Sequence, residues 1–443
     1  MRVQIGVDRY DSTDPTLQTV LAEAHSAGER ANCLCTDATP ELYIAHINGG
    51  FYLKRMPGTG QTHDAECPHY EINAVLSGRG AFEASAIVND PVTNLMTVKL
   101  GFSMSHKVGA GNPLKEVGDD MPPPAAPGDY VAKASAPRLT LRGLMDLLYE
   151  EARLSRFYPK MAGKRFWGIV SRELKGAAQL LRTPKQSLSK TFFIPNYAKV
   201  GEFAANNQAA LSFIDGLKPN RGIVPDGFVF AQVHSIDTNF NNPRIVMRYC
   251  NETVTVPARS YERFALLNAA GLEALRCGNG HFIILARVHR EGTALISNQI
   301  VGMHVDENWI PVPDNVPESR LIDDLNAQER AYQVVLRYGA PSEQVLATAI
   351  LLDSETPKPI FVAPLDEADD EADDAEMETE QVEVNGLTLH MRKKLARWHA
   401  IVRNESPEAM VILPGHDYRL PPRRQQTKPS SSESTQTEGA QHA

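Results

Sequence analysis

The sequence contains few cysteines and no long apolar run. Five of its 443 residues are cysteine. This odd number, with Cys250 and Cys277 isolated, excludes a disulfide framework and indicates a reducing compartment. No stretch approaches the roughly 18 consecutive apolar residues that would cross a membrane, and the amino terminus lacks the apolar run of a secretory signal. We therefore expect a soluble, cytoplasmic protein without a membrane partner.

Several catalytic signatures are also absent. No Gly-Lys-Ser/Thr sequence follows the glycine-rich residues 56–60, so they do not form a phosphate-binding loop. The sequence contains neither the Gly-x-Ser-x-Gly of serine hydrolases nor the His-Glu-x2-His of zinc proteases. The sequence therefore gives no support to these enzyme classes.

The residues that do carry a signal are three cysteines and a histidine on either side of a predicted β-hairpin. They are Cys33, Cys35, His63 and Cys67. Strands are predicted over residues 42–47 and 51–54, and an antiparallel hairpin returns the chain to its starting point. It brings the Cys-x-Cys and His-x3-Cys pairs together, which predicts a structural zinc site with four protein ligands. His69 is an alternative to His63, and a pair of buried free cysteines is the alternative to zinc.

Charge is segregated along the chain. The net charge is -9, but residues 366–383 alone carry eleven carboxylates, so the remainder is close to neutral at +2. Residues 138–200 hold thirteen Lys or Arg against four Asp or Glu, a basic concentration that attracts phosphate backbones. We expect the acidic run to be a flexible loop that offers a surface for a protein partner or mimics a nucleic acid.

Composition and periodicity predict an α+β protein of several domains. The first module contains further predicted strands at residues 70–76 and 81–88. The predicted divisions are a small β-rich zinc-hairpin module over residues 1–108, a Pro/Ala linker over 109–137, a basic helical segment over 138–200, a mixed α/β region over 201–318, an αβββαβ domain over 319–420, and a disordered tail over 421–443.

The basic segment is predicted to form two helices. Thr140 caps the first, and the second covers residues 164–181. The basic residues outside its apolar face are Lys164, Arg165, Arg172, Lys175 and Arg182. We expect them to contact the phosphates of DNA or RNA, with a solvated helical face as the alternative. The order of helix, basic turn, helix and strand resembles a winged-helix arrangement.

The last domain has the element order of PD-(D/E)xK nucleases, in which two carboxylates hold Mg²⁺ and a lysine orients water. The equivalent positions are Ala-Thr-Ala at residues 347–349 and Phe-Val-Ala at residues 361–363. Asp353 and Glu355 follow at a turn instead. The sequence therefore predicts a degenerate nuclease-like domain, or a nuclease with displaced carboxylates.

Several motifs carry a family resemblance. They are Cys33-x-Cys35, Leu-Tyr-Ile-Ala at 42–45, Tyr-Leu-Lys-Arg-Met-Pro-Gly-Thr-Gly at 52–60, His63-x3-Cys67, Glu-Glu-Ala at 150–152, Gly-Lys-Arg-x-Trp at 163–167 and Trp-Ile-Pro-Val at 309–312. Over about residues 30–420 the chain resembles the bacterial domain-of-unknown-function family 1173. The resemblance implies a protein carried by plasmids and integrating elements, without an established activity.

Three functional hypotheses follow from these observations. The first is a zinc-containing protein of mobile-element type that binds nucleic acid without an intact catalytic site. The second is a metal-dependent nuclease of PD-(D/E)xK type. The third is a protein-interaction scaffold whose basic surface binds an acidic partner or the chain's own acidic loop.

Overall fold

A computed structural model describes residues 1–47, 50–56, 59–90, 95–107, 137–340, 344–363, 389–413 and 417–424. Residues 48 and 49, where the hairpin turn is predicted, lie outside these ranges, as do the acidic run 366–383 and nearly all of the predicted linker and tail. The described part is an α+β protein, as predicted. None of its helices is long and apolar enough to cross a membrane.

The amino-terminal sheet confirms the predicted hairpin. Its elements are β1 (Arg2–Ile5), β2 (Asp8–Asp11), α1 (Leu17–Ala27), β3 (Ala31–Cys33), β4 (Glu41–Ile47) and β5 (Gly50–Arg55). The strands run in the order β2-β1-β3-β4-β5, and all neighbours are antiparallel. Leu17, Leu21 and Ala24 recur at helical spacing and bury one side of α1 against the sheet.

The strand predicted over residues 70–76 is wrong, and the strand predicted over residues 81–88 forms only at its last two residues, which begin β6. The chain forms 3₁₀ turns at Gly60–Thr62, Ala74–Leu76 and Gly78–Ala81, followed by β6 (Ile87–Asn89), β7 (Met96–Val98) and β8 (Ser105–Lys107). A Cβ at Gly78 would lie 1.9 Å from the Arg337 carbonyl oxygen. The neighbouring Arg79 side chain is buried among carboxylates. These long-range contacts override the local alternation of apolar residues.

The helices of the basic segment form where they are predicted, with a later start for the second. The elements here are α2 (Leu141–Glu151), β9 (Arg156–Phe157), α3 (Trp167–Leu180), β10 (Leu181–Arg182), β11 (Phe192–Phe193), α4 (Ala204–Gly216) and β12 (Ile223–Pro225). Thr140 caps α2 by accepting a hydrogen bond from the Gly143 amide. β9, β10 and β11 each join a different sheet, an arrangement that gives the winged-helix prediction no support.

The central region forms a closed β-barrel. Its elements are β13 (Gly227–Asp237), β14 (Arg244–Met247), β15 (Thr253–Thr255), α5 (Ala258–Leu267), α6 (Ala269–Cys277), β16 (His281–Glu291) and β17 (Ala294–Val305). The strand order is β13-β14-β15-β17-β16, and β16 pairs back onto β13. The outer faces of β13, β16 and β17 are buried against α2 and α3 in the largest apolar cluster. The barrel interior forms a second cluster.

The carboxyl-terminal elements follow the predicted order of helix, three strands, helix and strand. They are α7 (Val316–Ala327), β18 (Tyr332–Val334), β19 (Ala349–Leu351), β20 (Lys358–Val362), α8 (Leu389–Glu405) and β21 (Met410–Ile412). The sheet order is β21-β20-β19-β18-β9, with β20 and β21 parallel and the other neighbours antiparallel. β9 belongs to the predicted basic segment and pairs with β18 of the predicted carboxyl-terminal domain, so one sheet contains strands from two of the predicted divisions.

Candidate metal centre

The first two candidate ligands lie where a strand ends. Cys33 is the last residue of β3, and its amide donates to the Pro40 carbonyl oxygen at 2.9 Å. Cys35 follows in the turn that leads to β4. Cys33 is fully buried, and Cys35 is partly buried. Pairing of β3 with β1 and β4 therefore fixes the backbone that carries both thiols.

His63 and Cys67 lie in a compact loop beyond the hairpin. The loop begins with the 3₁₀ turn Gly60–Thr62, and the Cys67 amide donates to the Asp64 carbonyl oxygen at 2.8 Å. The Thr36 hydroxyl donates to the last carbonyl oxygen of that turn at 3.1 Å. This bond joins the two loops that carry the candidate ligands.

The four donor atoms form one cluster. Cys33 Sγ and Cys67 Sγ are 3.6 Å apart, and His63 Nδ1 lies 3.4 Å from Cys35 Sγ and 3.8 Å from Cys67 Sγ. All four atoms lie within 4.8 Å of one another. Tetrahedral zinc with ordinary bond lengths separates two sulfur ligands by about 3.8 Å and a sulfur from a nitrogen by about 3.6 Å. The donor set therefore fits a tetrahedral zinc ion.

The surroundings favour the thiolate at Cys67. Hydrogen bonds from Cys33 Sγ, the His63 ring and the His69 amide lower the pKa of the Cys67 thiol to about 4, against the opposing effect of burial. The contact with Cys67 and burial raise the pKa of the Cys33 thiol. A cation bound among these residues would replace the hydrogen bonds and hold the thiols as thiolates.

His63, rather than His69, reaches the cluster. The centroids of the two rings are 5.5 Å apart, and His69 contributes a backbone amide that donates to Cys67 Sγ at 3.4 Å. Burial lowers the pKa of His69 to about 3, so its ring is neutral. The sequence left the two histidines open, and the geometry separates them.

The metal centre lies inside a region that matches a known protein family. The family model described as Protein of unknown function (DUF1173) matches residues 3–390. The chain belongs to the DUF1173 family. No curated protein and no solved structure matches it. The four candidate ligands, α3 and the whole barrel of this DUF1173 protein fall within the matched residues, whereas β21 falls outside.

One of the five residues of the predicted basic surface of this DUF1173 protein is buried. Arg165 is buried, and its guanidinium donates to the carbonyl oxygens of Leu154 at 3.0 Å and Arg156 at 2.5 Å. The nitrogen that donates to Leu154, Nη1, also lies 3.4 Å from the Asn308 carbonyl oxygen. These bonds direct Arg165 into the protein, so its predicted phosphate contact is corrected to a structural role.

The other four basic residues remain at or near the surface. Lys164 and Arg172 are exposed, and Lys175 and Arg182 are half-buried. Arg172 is paired with Glu173 at 2.7 Å, and Lys175 Nζ donates to the Asn196 side chain at 2.5 Å. Their contact with nucleic acid stays a prediction.

The carboxylates considered for a nuclease centre do not assemble. Asp353 is bound by the Arg330 guanidinium at 2.7 Å and accepts the Ala331 amide at 3.1 Å. Glu355 is exposed two residues further on. In the part of the chain that the structure describes, the Cys/His cluster is the group that could hold a metal ion. Asp353 is therefore engaged in an ion pair rather than presented to a metal.

A buried charge cluster around Arg79 is a feature that the sequence does not predict. Its guanidinium lies 2.8 Å from Glu151, 3.0 Å from Glu83 and 3.3 Å from Glu71. Burial raises the pKa of Glu150, which accepts the Tyr338 hydroxyl at 2.6 Å. A lone arginine between glycines gives no local sign of such burial, because Glu150 and Glu151, which complete the cluster, come from a distant helix.

The loop of residues 60–67, which carries His63 and Cys67, also contacts a residue placed in the predicted tail. Arg424 pairs with Asp64 at 2.7 Å, and its amide donates to the Asp353 carbonyl oxygen at 2.7 Å. The Tyr158 hydroxyl donates to the Ala65 carbonyl oxygen at 3.0 Å. The loop of residues 60–67 is therefore connected to the carboxyl-terminal sheet on two sides.

Proposed function

We propose that the protein is a zinc-stabilised nucleic-acid-binding protein without a hydrolytic metal site. The observation that carries the zinc assignment is the convergence of one imidazole and three thiol groups within 4.8 Å. Sulfur-rich tetrahedral sets favour zinc among the common divalent ions. Four protein ligands leave no position for a reacting water, so the ion holds the loops together rather than performing chemistry.

Nucleic acid is the proposed partner because positive charge is concentrated around α3. Lys164, Arg172, Lys175 and Arg182 keep exposed or half-buried side chains there. Neutralising several phosphates releases counterions, so the observed affinity should fall steeply with salt. A mobile-element setting agrees with this partner and belongs to the same proposal.

Two measurements test the proposal. Metal analysis of the purified protein should find one zinc per chain, lost in Cys33→Ser and Cys67→Ser and kept in Cys277→Ser, which changes an exposed cysteine outside the cluster. Filter binding across a salt series should show affinity at low salt with a steep slope. Metal-free native protein would refute the zinc assignment, and no binding at low salt would refute the nucleic-acid partner.

A metal-dependent nuclease is the second candidate. The antiparallel strands β18, β19 and β20 with a parallel β21 support a nuclease-like architecture. The Arg330 ion pair of Asp353 weighs against activity. Cleavage that requires Mg²⁺ and disappears in Asp353→Asn would establish this candidate, and its absence would leave a degenerate domain.

A further inference from the structure

The barrel has a recognisable topology. Numbered along the chain, its five strands close in the order 1-2-3-5-4-1, the third and fifth strands are parallel, and helices α5 and α6 lie between the third and fourth strands. This is the arrangement of the OB barrel, in which the face of strands 2 and 3 and the adjoining loops bind oligonucleotides or oligosaccharides. A fold alone does not establish function, so the side chains on that face must decide.

The described residues leave the equivalent face of this barrel uncovered. α2 and α3 cover the outer faces of β13, β16 and β17. The outward-facing residues of β14 and β15 belong to neither apolar cluster. On β14, Ile245 and Met247 are buried in the interior, whereas Arg244, the first residue of the strand, and Arg248, in the turn directly after it, are exposed. The two arginines therefore lie at the two ends of β14. The open face therefore carries a line of positive charge.

An exposed aromatic ring stands at one end of this line. Phe240 lies in the loop between β13 and β14, and the Arg244 guanidinium carbon lies 3.8 Å from its ring centroid. The corresponding loop of OB barrels borders the binding face. An arginine held over an aromatic ring gives a flat surface of the kind on which bases stack.

A second aromatic group stands beyond Arg248, on the next residue of the chain. Tyr249 has a positive φ of 69°, and its ring contacts Tyr197 at 5.4 Å between centroids. Tyr197 in turn contacts Phe166 at 5.4 Å with nearly perpendicular planes. The tyrosines and Phe166 come from three separate segments.

A buried asparagine fixes the two tyrosine-bearing segments. Asn206 is 3% exposed. Its side chain accepts the Asn196 amide at 3.0 Å and donates to the Tyr249 carbonyl oxygen at 2.8 Å. The backbone on both sides of the tyrosine contact is therefore held in place. Tyr249 is partly buried against the apolar core, and the exposed Tyr197 packs on it.

We infer that this face binds single-stranded nucleic acid, an inference that rests on the proposed function and names its substrate class. Bases stack on Phe240, Tyr197 and Phe166, and Arg244 and Arg248 contact the phosphates between them. A duplex hides the faces of its bases, so exposed rings favour unpaired strands. Neutral oligosaccharides also stack on aromatic rings, but they do not account for the two arginines.

The test uses full-length, zinc-loaded protein and fluorescence anisotropy. The probes are a labelled oligothymidylate of about 12 nucleotides, which suits one barrel, and a duplex of the same length. Phe240→Ala and Tyr197→Ala should each weaken binding to the single strand about tenfold. Phe240→Tyr and Tyr197→Phe should retain it. Tyr52→Ala is the matched control, because Tyr52 is 50% exposed on the amino-terminal sheet and Tyr197 is 48% exposed.

The outcomes separate this inference from the proposed function. Preference for the single strand, lost in the two alanine variants and kept in the others, supports the open face as the site. Equal binding to the duplex, unaffected by the alanine variants, overturns the inference and leaves nucleic-acid binding intact. Absence of binding to both probes refutes the inference and the proposed function together. Binding of a neutral oligosaccharide that the same variants abolish would also overturn the assignment.

Discussion

The metal centre and the open face of the barrel gather their residues in opposite ways. The four candidate ligands span residues 33–67 and meet because one hairpin returns the chain. The rings of Phe166, Tyr197 and Phe240 come from separate segments that are positioned by α3 and the barrel. A site built by a local turn leaves a spacing pattern in the sequence, whereas a site built by tertiary topology leaves none.

The largest expected effect concerns the charge cluster around Arg79, which connects residues 71–83 to the end of α2. Arg79→Met would leave the buried Glu150 and the half-buried Glu151 without their guanidinium partner. Removing one partner of a buried ion pair costs about 3–5 kcal/mol. Denaturant unfolding should show this loss in the free energy of unfolding. Arg30→Met, which breaks an exposed pair with Glu41, should cost less than about 1 kcal/mol, and equal costs would contradict the cluster's role.

A smaller effect distinguishes two neighbouring basic residues. Arg165→Ala would leave buried carbonyl oxygens without donors, at a cost of about 1–3 kcal/mol in the free energy of unfolding. Lys164→Ala changes an exposed side chain and should cost less than about 0.5 kcal/mol. Thermal or denaturant unfolding of both variants measures the difference. Similar stability with weaker nucleic-acid binding in Arg165→Ala would restore the sequence-based assignment.

The smallest effect on stability is expected at the barrel face. Arg248 is exposed, so Arg248→Ala should leave unfolding and zinc content unchanged. If its guanidinium contacts one phosphate, the slope of log affinity against log salt should fall by about 1. A salt titration with the single-stranded probe measures that slope. An unchanged slope would remove Arg248 from the binding face.

The sequence predicted the elements better than their assembly. Strong periodicity located α2, β13 and β17, and the predicted hairpin, observed as β4 and β5, located the candidate ligands. Periodicity describes one element at a time, so it could not show that β16 pairs back onto β13 and closes a barrel. The sequence therefore predicts only a mixed α/β region where the structure has a closed barrel.

Burial of charge explains the other differences. Arg165 and Lys164 are adjacent and equally basic in the sequence, but Arg165 meets carbonyl groups from two other segments. The sequence offers Asp353 as a displaced metal ligand, whereas in the structure its carboxylate pairs with Arg330. In both cases the deciding partner is distant along the chain, and composition carries no information about it.

X-ray absorption at the zinc edge tests the closed metal centre most directly. The protein should show about three sulfur ligands at about 2.3 Å and one nitrogen at about 2.0 Å, from Cys33, Cys35, Cys67 and His63. His63→Ala should replace the nitrogen with an oxygen from water, and His69→Ala should leave the spectrum unchanged. A native spectrum with a water ligand, or one altered by His69→Ala alone, would contradict a centre closed by these four residues.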